Sequence, residues 1–152
     1  MIGIEGEAGY LTGNILHLNY ETINQFLEKM IKLYTSSEAD SMISNGYKFS
    51  PLDIVKKPIS EFLSRFFYLH GYKDGLHGLF LSFLQAFYHL VVVARVWEKQ
   101  GFEATGDSLS LFEKSAKESG KELKFWIYEE KRKREKNKIK KVFWSIKKKS
   151  PL

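Results

Sequence analysis

The sequence predicts a mainly α-helical chain, with a short β segment at the N-terminus followed by four to five helices, the last long and basic. Three observations lead there. Beyond residue 22, apolar residues recur at spacings of three and four along most of the chain. Residues 75–94 contain no Asp, Glu, Lys or Arg. Of the 24 Lys and Arg residues, 11 fall in 131–152 on a helical apolar repeat.

Each element has its own signal. Glycines at 3, 6, 9 and 13 punctuate the start, and Asn14-Ile15-Leu16-His17-Leu18 suits one short strand after the Gly13 turn. Thr22, with Gln25 three residues on, is a capping-box pattern. Ile23, Phe26, Leu27, Met30, Ile31 and Tyr34 follow at helical spacing, so a first helix is expected to run to about Ile43 and stop near Asn45-Gly46. Tyr47 to Lys57 reads as a connector. Pro58 suits the first turn of a second helix with an apolar face of Ile59, Phe62, Leu63, Phe66 and Phe67, ended by Gly71. Asp74 is placed to cap a third helix from about Gly75 to Lys99. After breaks at Gln100-Gly101 and Thr105-Gly106, a fourth segment is expected from about Asp107 to Ser119. One long, increasingly basic helix is expected from Lys121 onward.

Composition bounds the functions. A chain of 152 residues with 43% hydrophobic and 15% aromatic residues is one domain's worth and not a disordered polymer. With no cysteine, disulfides, thiolate metal sites and cysteine nucleophiles are excluded, and a reducing compartment is favoured. Residues 131–152 carry a net +10, leaving −4 on residues 1–130, so the basic character belongs to the tail. Met1–Glu7 has no basic start and no long apolar run, so no signal peptide is expected; it reads as a chain entered in mid-fold. No phosphate-loop, His-Glu-x-x-His or Gly-x-Ser-x-Gly pattern is present.

Two segments invite functional readings. The uncharged run 75–94 would span roughly 30 Å as a helix, close to the thickness of a bilayer core. Gly78, Ser82, Gln85, Ala86 and His89 share one stripe of it, and the small residues allow close helix approach. It is therefore either a central buried helix or a membrane-inserted one; His77, Gln85 and His89 weigh against the second. In the tail, Ile139, Val142, Phe143 and Ile146 alternate with lysines, the pattern of a basic amphipathic helix on an anionic membrane surface. Lys138, Lys141, Phe143, Trp144, Lys147 and Lys148 would form that surface. A solvated helix is the plainer alternative. Nucleic acid is not favoured as a partner, because no nucleic-acid-binding motif accompanies the lysines. His17 is a structural residue, a metal ligand or a proton shuttle, and Glu38-Ala39-Asp40 reads as a solvated face.

In order, Tyr10-Leu11, Leu16-His17-Leu18-Asn19-Tyr20, Phe26-Leu27-Glu28-Lys29, Lys57-Pro58, Gly71-Tyr72-Lys73-Asp74-Gly75 with Gly78-Leu79, and Ala94-Arg95-Val96-Trp97-Glu98 resemble the C-terminal portion of family 2 glycosyltransferases. The similarity is strongest to the bacterial subgroup that builds lipopolysaccharide and related envelope glycans, and it covers about residues 8–99. In that family a GT-A nucleotide-sugar domain is followed by helices that meet a lipid-linked acceptor. The resemblance therefore implies that residues 1–20 are the C-terminal edge of a GT-A domain. Residues 21–100 would be an acceptor- and membrane-side helical module, and 101–152 a helical extension with the basic tail. It implies an acceptor-side role for Tyr72, Lys73 and Asp74. It also implies that His17 completes a divalent metal site, Mg or Mn, in the complete enzyme. The expected location is cytoplasmic, peripheral to the inner face of the cytoplasmic membrane.

The family's Asp-x-Asp motif, uridine-binding strand and catalytic-base carboxylate have no counterpart in these residues. No catalytic residue is assigned and no cofactor is expected within this chain. The expected partners are a GT-A domain on the same or a neighbouring chain, an anionic membrane surface and the lipid-linked acceptor. Transfer of sugar from a nucleotide-sugar donor would require that domain, and the chain alone is expected to be inactive. The alternative is a non-catalytic helical module that binds a membrane surface or another protein.

Overall fold

The computed structural model describes residues 9–10, 13–14, 20–103 and 106–149, and among them the chain is mainly helical with no strand. Ile15–Leu18 of the expected strand, His17 included, lie outside the described residues.

The first helix starts close to the capping-box pattern: the Thr22 hydroxyl accepts from the Gln25 backbone N–H at 3.2 Å, while Gln25 Oε1 accepts from the N–H of Glu21, one residue before the cap, at 2.8 Å. α1 (Ile23–Lys29) continues through a π-helical turn (Met30–Tyr34) into α2 (Thr35–Ser44). The wider turn is sealed by the buried Thr35 hydroxyl, which donates to the Met30 carbonyl at 2.8 Å.

α3 (Asp53–Leu63) begins five residues earlier than Pro58 suggests. Asp53, Ile54 and Val55 donate to the carbonyls of Ser50, Pro51 and Leu52, so the turn at Pro51 nucleates the helix. Pro58 then falls inside it, where it withholds one N–H but does not stop the helix. A π-helical turn (Ser64–Tyr68) and a 3₁₀ turn (Gly71–Asp74) lead into α4 (Gly75–Lys99), whose bounds match the expectation. Asp74 holds the N-cap position, but its exposed side chain makes no cap hydrogen bond.

α5 (Ser108–Arg134) is a single helix, contrary to the expected boundary after Ser119. One glycine in a helix costs only about 1 kcal/mol, so Gly120 does not interrupt it. Asp107 caps it with both carboxylate oxygens, on the N–H groups of Leu109 and Ser110. The real break lies later, where Glu135 turns extended and the Asn137 side chain caps α6 (Lys138–Lys149). The expected continuous basic tail is thus a helical hairpin.

α3 and α4 fold back on one another, with Phe62 on Phe83 (centroids 4.5 Å) and Phe49 stacked on Trp97 (5.8 Å). The turn that joins them lies tight against α4: a Cβ on Gly78 would lie 1.9 Å from the Gly71 carbonyl oxygen, so only glycine fits. α2 covers a second side of α4 through Tyr88 to Glu38 (2.5 Å) and Lys99 to Asp40 (2.5 Å). α5 packs on α3, with Trp126 stacked on Phe67 (6.0 Å) and Lys56 paired with Glu118. The fully buried core is thin, centred on Met30, Leu63, Val92, Val93 and Val96.

Candidate functional site

Three surfaces stand out, each produced by a helix with two unlike faces. On α4, the buried residues Gly78, Ser82, Ala86, Val92, Val93 and Val96 take up one side, against α2 and α3. On the opposite side Leu76, Phe80, Phe83, Phe87 and Leu90 form a stripe at offsets of 4, 7, 11 and 14, with exposures of 68% at Leu76, 60% at Phe80 and 56% at Phe83. The helix is long and apolar enough to cross a membrane by length and composition, yet only 28% of its apolar window is buried. α4 is therefore a core helix on one face and bare on the other. Beside the stripe lies an apolar trough of about 560 Å³, lined from α3, α4 and α5 by residues such as Phe62, Phe83, Phe112 and Leu123.

The second surface is the α5–α6 hairpin. Trp144 stacks on Tyr128 (5.6 Å), Lys148 pairs with Glu129 at 2.7 Å, and the Lys148 ammonium lies 4.7 Å from the Phe125 ring centre. Trp144 and Lys148 therefore face α5 instead of forming an outer membrane surface. Ile139, Val142, Phe143 and Ile146 point outward and are exposed. On a helical projection Lys138, Lys140, Lys147 and Lys149 flank that strip on both sides, and Lys141 is exposed on the flank nearer α5. Hydrogen bonds from Arg132 and Lys148 hold the Glu129 carboxyl down at about 2, so it stays charged and pins the hairpin.

The third surface is where the Gly71–Asp74 turn meets the end of α5. Tyr72 is half-buried, edge-on to Phe66 (6.2 Å), with the Arg134 guanidinium 4.6 Å from its ring centre. Glu130, 5% exposed, accepts from Lys133 at 2.7 Å and from Tyr72. Burial opposes its ionisation, but those hydrogen bonds and the nearby Lys133 and Arg134 charges outweigh it, and its pKa is lowered. Of the expected acceptor-side residues, Tyr72 alone enters this pocket; Lys73 and Asp74 face solvent. Ile127, Glu130, Lys131 and Arg134 line it from α5. Their spacing puts them on one helix face, a signal present in the sequence, but nothing in the sequence places Tyr72 opposite them.

Among the described residues no group of three or more His, Cys, Asp or Glu side chains is placed to hold a metal ion. Glu38 and Asp40 are not a bare pair: each is engaged from α4, by Tyr88 and Lys99. Burial, and then the hydrogen bond to Glu38, push the Tyr88 phenol up and keep it protonated. Comparison with protein-family models, with curated proteins and with solved structures finds no match to this chain.

Proposed function

We propose that this chain is a membrane-surface helical module, serving the acceptor side of a family 2 glycosyltransferase whose nucleotide-sugar domain is supplied by the same or a neighbouring chain. The observation that carries the membrane half is the exposed Leu76–Leu90 stripe of α4. Each of its half-exposed Phe and Leu side chains gains about 1 kcal/mol on leaving water, so the stripe is worth about 5 kcal/mol. Lysines flanking the outer strip of α6 add about 1 kcal/mol each beside anionic lipid. Two such signals together are what stable surface anchoring needs.

The geometry favours lying on the surface over spanning it. Glu61 near His89 (3.7 Å), and Glu38 bonded to Tyr88, sit against the middle of α4. A spanning α4 would carry those carboxylates into the hydrocarbon, at several kcal/mol each. The glycosyltransferase half rests on the resemblance around Gly71–Gly75 and Arg95–Glu98. Within it the Mg or Mn ion, the donor sugar and the transfer chemistry belong to the other domain, and the location is the cytoplasmic face of the membrane.

Flotation with phosphatidylglycerol–phosphatidylcholine vesicles tests the membrane half. Recovery with lipid should fall on raising salt, fall when Lys138, Lys140, Lys147 and Lys149 become Gln, and fall further with Leu76, Phe80 and Phe87 as Ser. Absence of salt-sensitive recovery would remove that half. A discrete oligomer that ignores lipid and dissociates with the Ser variant would instead assign the α4 face to a protein partner. Turnover of a nucleotide sugar by the chain alone would overturn the proposed division of labour.

A further inference from the structure

We infer that the pocket between the Gly71–Asp74 turn and the end of α5 is a binding site for a phosphate group carrying an apolar substituent. This goes beyond adsorption to a charged surface, because it assigns a saturable site with named donors. The pocket holds about 360 Å³, room for a phosphate and the first atoms of its substituent.

The argument starts from how four neighbouring cations are used. Arg132 and Lys133 are spent: they bond Glu129 (2.5 Å) and Glu130 (2.7 Å). Arg134 and Lys131 form no ion pair among the described residues; each lies over aromatic rings instead. Arg134 covers Tyr72 at 4.6 Å, and Lys131 lies 5.4 Å from the Tyr128 ring centre and 5.0 Å from that of Trp144. A cation held by a ring face keeps its N–H donors available. The guanidinium offers a planar fork and the ammonium a point charge from the same helix face, a combination suited to the several oxygens of a phosphate.

Two carboxylates lie close by. Glu130 bonds Lys133 and Tyr72 and also feels the Arg134 charge without pairing with it, and Glu135 accepts from the Asn137 N–H. The pocket lining therefore carries two positive charges, Lys131 and Arg134, and one carboxylate, Glu130, which Lys133 bonds from outside the lining. The remaining wall is Phe66, Phe67 and Ile127, which is apolar and gives an inorganic ion nothing to touch. A phosphate joined to carbon fits both halves. Arg134 precedes the first residue of α6 by four positions, so the pocket and the basic helix are adjacent along the chain.

The source of the phosphate, lipid or soluble metabolite, is separated by titration calorimetry on the full chain. The probes are dihexanoyl phosphatidate below its micellar concentration, glycerol phosphate, inorganic phosphate, and dihexanoylglycerol as the phosphate-free control. Saturable binding of phosphatidate is expected, weakened about tenfold or more by Arg134→Gln, with Lys140→Gln changing it about twofold at most. Circular dichroism verifies that each variant is folded, and Tyr72→Phe, which keeps the ring, should retain most of the affinity. Glycerol phosphate binding as tightly as phosphatidate would keep the site and make its ligand a soluble phosphate ester. No saturable heat from any phosphate, or equal losses from Arg134→Gln and Lys140→Gln, overturns the inference. Because the probes are monomeric, that failure leaves vesicle flotation, and the membrane reading, untouched.

Discussion

Replacing Gly78 by Ala sets two physical effects against each other with opposite signs. Helix propensity favours the substitution by about 1 kcal/mol, since Gly78 lies in the fourth position of a 25-residue helix. Packing opposes it. The new methyl carbon would sit 1.9 Å from the Gly71 carbonyl oxygen and 3.1 Å from the Asp74 Cβ, whereas ordinary contact begins at 3.4 Å. The turn and α4 must separate by about 1.5 Å at a backbone-to-backbone contact that has no rotamer to yield, and overpacking of this kind costs about 3 kcal/mol. The net expectation is a loss of about 2 kcal/mol, seen as a fall in Tm of about 4–8 °C for a chain of this length. Urea denaturation followed by circular dichroism measures the same quantity independently. Leu76→Ala, two residues earlier on the exposed stripe, is the control and should change stability by less than about 0.5 kcal/mol. If Gly78→Ala is neutral or stabilising, the close approach of the turn to α4 is wrong, and with it the placement of Tyr72 in its pocket.

Acidification should release α6 from α5. The Glu129 carboxyl is depressed in the folded chain to about 2 from a reference of 4.5. Its contribution is therefore complete above that reference and lost as pH falls from about 4.5 through about 2. The shift sets a ceiling of about 3 kcal/mol, reduced by solvent screening to about 1–2 kcal/mol. Trp144 fluorescence should report the opening, and Glu129→Gln should flatten its acid dependence; an unchanged acid profile in that variant would refute the pairing. At the π-helical turn, Thr35→Val should cost about 1–2 kcal/mol because it removes the buried donor to the Met30 carbonyl without changing volume. A chemical-denaturation midpoint equal to that of the parent chain would show that the wide turn does not depend on Thr35.

Short-range chemistry made much of the architecture readable from the sequence. The Thr22–Gln25 capping box and the uncharged run inside Gly75–Lys99 are local signals, and α1 and α4 formed where those signals lay. Errors arose where two local signals competed. Pro58 resembles a helix start, yet the turn at Pro51 begins α3 first, and a helix already under way tolerates proline. Gly120 resembles a stop, yet packing of α5 on α3 outweighs a penalty of about 1 kcal/mol.

By itself the sequence determined the mainly helical class, the charge division between body and tail, the uncharged run of α4 and the amphipathic pattern of α6. All of these follow from residue type and spacing along one segment. Tertiary structure decided which face of α4 is covered, that Trp144 and Lys148 turn inward on α5, and that Tyr72 meets Glu130 and Arg134 across some sixty residues of chain. Such pairings depend on how helices cross, and crossing is set by contacts between distant segments, such as the stacking of Phe67 on Trp126, that no local pattern encodes.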